Sequence, residues 1–215
     1  MIRAKVIGAT GYGGIGIVEL LLQHPGVELV ALVAREEIGR PIDEIYPHLA
    51  GFCRLPVLAA DDPQARVPAD VVFCATPDGV GMALAPEILA VGARLIDYSG
   101  DFRFTTPEAY RDYATRIGRD PVHASPGLLG RNVYGLVELH RDALRTASLV
   151  GNPGCFAVSC ILGLAPALQG GLIEPVGPIC DCKTGVSGAG KKLNAQFHFP
   201  ARYEQMNAYR LSGHQ

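Results

Sequence analysis

The sequence predicts an α/β protein built on a doubly wound parallel sheet, and three observations carry that prediction. Short β-like runs alternate with helical segments through the first half of the chain. A glycine-rich turn joins the first run to the first helix. The composition, 48% hydrophobic and 19% charged over 215 residues, is that of a globular chain able to bury a real core.

The elements follow in order. "AKVIGA" (4–9) reads as a strand, "GIGIVELLLQHP" (14–25) as a helix, and "VELVALVA" (27–34) and "DVVFCATP" (70–77) as strands. "GVGMALAPEILAVG" (79–92) reads as a helix and "ARLIDYSG" (93–100) as a strand. Such alternation predicts parallel strands joined by right-handed helical crossovers. The first helix carries apolar residues on more than one face, as a helix pressed on a sheet should. From 101 to 146 the texture is polar and turn-rich, which predicts loops and short helices at the edge of the first domain. "ASLVGNPGC" (147–155) is a strand running into a turn, followed by the apolar helix "FAVSCILGLAPALQGG" (156–171) and a further strand, "PICDCKTGV" (178–186). A Rossmann-type nucleotide-binding domain over 1–147 is therefore expected, followed over 148–215 by the beginning of a second, α+β unit.

Charge and cysteine usage narrow the function classes. The net charge of −2 and scattered Lys and Arg residues leave no electrostatic footprint for nucleic acid or an acidic membrane, so a small molecule is the expected partner. No apolar run approaches the ~20 residues of a membrane span, and the N-terminus lacks the apolar core of a signal peptide. A cytoplasmic location is the expectation. There the six cysteines (53, 74, 155, 160, 180 and 182), which include no C-x-x-C pair, would not form a disulfide framework. No metal site is expected either, because the histidines (24, 48, 123, 140, 198 and 214) show no ligand spacing. Cys74, Cys180 and Cys182 lie in apolar or strand-like runs and read as small hydrophobes.

Two motifs carry chemistry. "VIGATGYGGIGIVELL" sets Gly8, Gly11 and Gly14 in a G-x-x-G-x-x-G frame between strand and helix, with Thr10, Tyr12 and Gly13 in the same loop. A tight turn, close backbone approach and exposed helix N–H groups suit a dinucleotide pyrophosphate. After the second strand comes Arg35, where an acidic ribose ligand would mark NAD. An arginine there suits the 2′-phosphate of NADP, although Glu36 and Glu37 follow directly and either could hold a ribose. The second motif is "GNPGCFAVSC" (151–160). A thiol in the first turn of a helix sits at the positive end of the dipole, where the nucleophilic thiolate is favoured. Pro153 and Gly154 would present Cys155 at the helix mouth, whereas Cys160 lies among Val158, Ile161 and Leu162 and reads as packing. A nucleophile beside a nicotinamide site suggests acyl transfer coupled to hydride transfer.

"GATGYGG", "DYSGDFRF" (97–104), "VYGLVEL" (133–139), "GNPGCF" (151–156), "KTGVSGAGKK" (183–192) and the terminal "SGHQ" occur in the order and spacing of N-acetyl-γ-glutamyl-phosphate reductases. The chain resembles that family over nearly its whole length and, more distantly, aspartate-semialdehyde dehydrogenase. The resemblance implies an NADPH-dependent enzyme of arginine biosynthesis that reduces an acyl phosphate through a cysteinyl thioester. It implies Cys155 as nucleophile, His214 as acid/base, Arg103 and Asn152 on the substrate, and Ser187, Gly188 and Ala189 near the nicotinamide. It also implies a homo-oligomer, dimer or tetramer, at full length. Family members run well over a hundred residues further, so a truncated chain with an incomplete second domain is expected. The alternatives are a related semialdehyde dehydrogenase acting on aspartyl or carrier-bound aminoadipyl phosphate, or an NADP(H)-binding fragment without turnover.

Overall fold

The structure, a computed structural model, describes residues 1–208; His214 lies outside the described residues. Seven strands form one sheet in the order β3-β2-β1-β4-β5-β7-β6, and every pairing is parallel. They are β1 Ile2–Ile7, β2 Val27–Val33, β3 Val57–Leu58, β4 Val71–Cys74, β5 Arg94–Asp97, β6 Val133–Tyr134 and β7 Leu149–Gly151.

Side-chain alternation divides this sheet into two buried faces. Ala4, Val6, Leu32 and Phe73 point to one side, where they meet Ile15, Val18 and Leu21 of helix α1 (Tyr12–Gln23). Val72, Cys74 and Leu95 point to the other, against Met82 and Ala85 of α3 (Val80–Ala90) and Tyr110 and Tyr113 of α4 (Pro107–Arg116). A strand covered on both faces is apolar at consecutive positions, which is why the strand runs read as continuous rather than alternating. A short helix, α2 (Ile42–Ile45), follows β2, and α5 (Val137–Thr146) leads into β7.

The chain steps outward from β1 to β2 and β3, then returns to lay β4 on the other side of β1. This reversal opens a crevice at the carboxyl ends of β1 and β4, the place where doubly wound sheets bind ligands. Leu149–Gly151, which the sequence reading puts at the head of the second unit, is hydrogen-bonded as an inner strand of this sheet, between β5 and β6.

Helix α6 (Cys155–Gln169) has no buried residue despite its apolar sequence. Beyond it the expected strand over 178–186 does not form. A strand must pair its N–H and C=O groups with a neighbour, and none of the described residues supplies one; Ile179 is 95% exposed. The same segment leaves Cys180 and Cys182 exposed, so neither is the small buried hydrophobe that the strand-like sequence suggested. Cys74 is fully buried, and burial pushes its thiol up to about 12.

Candidate active site

The glycine loop shows why two of its positions lack a side chain. Gly8 has φ +85°, and a Cβ there would lie 2.3 Å from the carbonyl oxygen of Ala75 at the end of β4. A Cβ on Gly14 would lie 2.0 Å from the Gly8 carbonyl oxygen, so α1 can start this close to β1 only with glycine. Gly11 is the N-cap of α1, without a side-chain cap and without an acidic residue in the first turn. The leading N–H groups of α1, at Tyr12, Gly13 and Gly14, therefore face the crevice with the positive end of the helix dipole. Tyr46 steadies the loop by donating its hydroxyl to the carbonyl of the buried Thr10, at 2.7 Å. These features fit a dinucleotide pyrophosphate.

Arg35 follows β2 on the surface and makes no ion pair among the described residues. Of the two neighbouring acids, Glu37 is engaged by Arg40 in an ion pair and sits at φ 62°, turning it away from extended backbone.

A second cluster gathers at the carboxyl ends of β5 and β7. Arg103 is half-buried, donating from Nε to the Asn152 carbonyl at 2.9 Å and from Nη2 to the Tyr98 carbonyl at 2.7 Å. The remaining nitrogen, Nη1, lies beside Gly154, where a Cβ would meet it at 3.3 Å. The Asn152 N–H donates to the Asp97 carbonyl at 2.7 Å, which ties the turn after β7 to the end of β5. Gly151 permits this approach, because a Cβ at that position would lie 1.8 Å from the Phe102 carbonyl oxygen.

Cys155 is exposed in the first turn of α6, whose N-cap is Gly154 and which likewise lacks an acidic residue in that turn. It opens on two cavities. One, of about 190 Å³, is shared with Arg103, Phe104, Tyr113 and Tyr134. The other, of about 580 Å³, is bounded by Thr184, Gly185, Gly188 and Ala189. Ser187, from the same turn, and Tyr12, from the glycine loop, line a third cavity of about 760 Å³. The "GVSGAG" turn thus lies between the α1 N-terminus and the thiol. The structure brings Arg103 and Cys155 together. Arg35 lines neither of the cavities that Cys155 opens on.

Sequence reasoning missed the scaffold behind these groups. Asp101, fully buried, accepts from the N–H groups of Gly79 and Met82 and so caps α3. Asp78 accepts from the Gly100 N–H and the Tyr113 hydroxyl. Buried His123 accepts from the Ser125 N–H at Nδ1, which places its proton on Nε2 for the Asp101 carbonyl. Tyr98 spans the two halves: its ring stands 3.8 Å from where a Gly13 Cβ would be, while its carbonyl holds Arg103. The quoted "DYSGDFR" run contained Asp97, Tyr98 and Asp101, but nothing in a linear pattern says which of its acids turns inward.

The fold and the glycine-loop cleft define a dinucleotide-binding domain of the dehydrogenase type, joined to a helix whose first turn exposes a thiol, and the family comparison agrees on the nucleotide-binding domain. The family model described as "Semialdehyde dehydrogenase, NAD binding domain" matches residues 3–147, and the chain belongs to that family. A second, "Semialdehyde dehydrogenase, dimerisation domain", matches residues 155–215. Among curated proteins the chain is similar to the N-acetyl-gamma-glutamyl-phosphate reductase of Acidithiobacillus ferrooxidans, 44% identical over 100% of this chain and 60% of the relative. It is similar to that of Herminiimonas arsenicoxydans at 42% over the same shares. The chain thus spans about 60% of the length of the curated relatives it matches. Among solved structures, aspartate semialdehyde dehydrogenase II from Vibrio cholerae superposes with a TM-score of 0.56 at 17% identity, covering 79% of this chain and 43% of that one. A probable aspartate-semialdehyde dehydrogenase from Pseudomonas aeruginosa gives 0.52 at 24%, covering 78% and 42%. These structures share the fold. No helix among the described residues is long and apolar enough to cross a membrane.

Proposed function

We propose that this chain carries the cofactor cleft and the nucleophile of an NADPH-dependent reductase that converts N-acetyl-γ-glutamyl phosphate to N-acetylglutamate 5-semialdehyde. The observation that carries this reading is the exposed Cys155, in the first turn of α6, sharing one pocket with Arg103. The substrate is the one acted on by the enzymes named for relatives 42–44% identical over the whole chain.

The Cys155 thiolate attacks the acyl carbonyl. A carbon–sulfur bond forms, the carbon–oxygen bond to phosphate breaks, and inorganic phosphate leaves with the electron pair. Main-chain N–H groups in the first turn of α6, starting at Cys155, stabilise the oxyanion. Arg103 is aimed by the Asn152 and Tyr98 carbonyls, so its Nη1 is oriented before an anion arrives, and the phosphoryl oxygens meet a fixed cation. Asn152 acts in this scheme through its main chain, which holds both Arg103 and the Asp97 carbonyl. When bound, NADPH supplies the hydride that takes the thioester to the aldehyde. The α1 N–H groups would hold its pyrophosphate, Arg35 would meet its 2′-phosphate, and Ser187, Gly188 and Ala189 would flank its nicotinamide end. His214 is the proton donor and acceptor in this reading, by the resemblance. A homo-oligomer is supported by the dimerisation-domain match.

The test runs the reaction in reverse, following phosphate-dependent NADP⁺ reduction with N-acetylglutamate 5-semialdehyde and, separately, aspartate 4-semialdehyde. Turnover with the first aldehyde is expected. Turnover only with the second overturns the substrate assignment, and an NADPH-induced thermal shift without any turnover leaves a binding fragment.

A further inference from the structure

Cys160 and Cys182 approach each other outside the acyl-transfer pocket. Their sulfurs lie 3.5 Å apart although the residues are 22 positions apart in sequence. Cys160 is half-exposed on α6, and Cys182 is exposed on the extended segment that runs into Thr184 and the "GVSGAG" turn. Two thiols in contact, a half-exposed one on a helix and an exposed one on a segment with little packing of its own, are disposed to couple when that segment closes the remaining ~1.5 Å to the ~2.05 Å of a disulfide.

We propose that Cys160 and Cys182 form a reversible disulfide under peroxide, pinning the segment around residue 182 to α6. Cys182 sulfur attacks peroxide, the O–O bond breaks, and a sulfenic acid and one water form. The Cys160 sulfur then displaces the sulfenic oxygen, forming the S–S bond and a second water. Two thiols lose two electrons and two protons, and one hydrogen peroxide is reduced. The order follows from the neighbours. Hydrogen bonds to Cys182 and Cys180 push the Cys160 thiol up to about 11, so it is slow to meet the oxidant first. Oxidation of Cys182 removes the largest of those influences on Cys160, the neighbour placed to resolve the sulfenic acid. A transient pair of this kind is compatible with a reducing compartment, where a structural disulfide is not.

The experiment exposes the whole chain to hydrogen peroxide at neutral pH, blocks the remaining thiols, and maps peptides without reduction. The expected product is a 160–182 cross-linked peptide two hydrogens lighter than its parts, reversed by dithiothreitol, retained in Cys180→Ser and absent in Cys182→Ser. Before digestion for mapping, brief trypsin treatment reads the segment directly. Cleavage after Lys183 slows several-fold on oxidation and recovers on reduction, with no change in Cys182→Ser. A cross-link through Cys180 or Cys155, or sulfinic acid in place of any cross-link, overturns the assignment. None of these readouts depends on reductase turnover.

Discussion

At the scale of single residues, the two cysteines of "GNPGCFAVSC" differ by position on one helix. Cys155 stands at the N-terminal mouth of α6, with main-chain N–H groups beside it and Arg103 across a common pocket. Cys160 lies further along the helix and touches Cys182, whose hydrogen bond disfavours its thiolate. The sequence distinguished them by place in the helix alone. It assigned Cys160 to packing, yet α6 buries none of its residues and that thiol is half-exposed. Iodoacetamide at pH 7, read by peptide mapping, is therefore expected to modify Cys155 at least about tenfold faster than Cys160. Cys155→Ser should lower turnover by about a thousandfold or more, because the thioester route is lost while the cleft remains. Equal labelling of the two thiols would remove the case for Cys155 as an activated nucleophile.

At the scale of elements, legibility followed length and burial. The long runs of β1, β2 and β4 and helices α1, α3 and α6 were readable because apolar patterning persists over enough residues to be distinctive. The two-residue strands β3 and β6 were not, since Val57–Leu58 and Val133–Tyr134 are strands only by virtue of the neighbour each pairs with. The run over 178–186 errs the other way, having the composition of a strand and no partner. Within the site, Cys155 and the glycine loop were visible as motifs. The role of Gly151 was not, because it depends on the Phe102 carbonyl from an element far away in the chain. That glycine yields a prediction. In Gly151→Ala the new methyl meets main chain at 1.8 Å, so the segment through Phe102 and Arg103 must move. The expected cost is about 1–3 kcal/mol in chemical denaturation, together with a raised KM for the acyl phosphate as Arg103 leaves its two carbonyls. An unchanged KM in a folded variant would show that Arg103 is not aimed by this packing.

At the scale of the whole molecule, the cleft rests on buried carboxyl groups that cost stability. Asp97 at the end of β5 is fully buried; one carboxylate oxygen accepts from Ser99 at 2.5 Å and the other has no hydrogen-bond partner. Burial pushes its carboxyl up to about 7, against 3.8 for an exposed group, with the nearby Asp101 adding to the rise and the Ser99 hydrogen bond opposing it. The sign follows from proton counting. Between pH 4 and 7 the folded state holds a proton at Asp97 that the unfolded state has already released, so stability falls as pH rises through this window. Above about pH 7 the full penalty applies, on the order of 4 kcal/mol for a shift of this size. Asp101 is raised in the same direction and contributes a background with the same sign. Asp97→Asn keeps an acceptor for Ser99 but has nothing to titrate, so it isolates one group from that background. The variant is expected to melt several degrees above the parent at pH 8, with the gap closing toward pH 4, measured by thermal denaturation across that range. A gap of constant size at pH 5 and pH 8 would mean that Asp97 does not titrate between the two states. A gap that narrows as pH falls would show that the carboxyl group beside the Asn152 and Arg103 turn is retained against a stability cost at neutral pH.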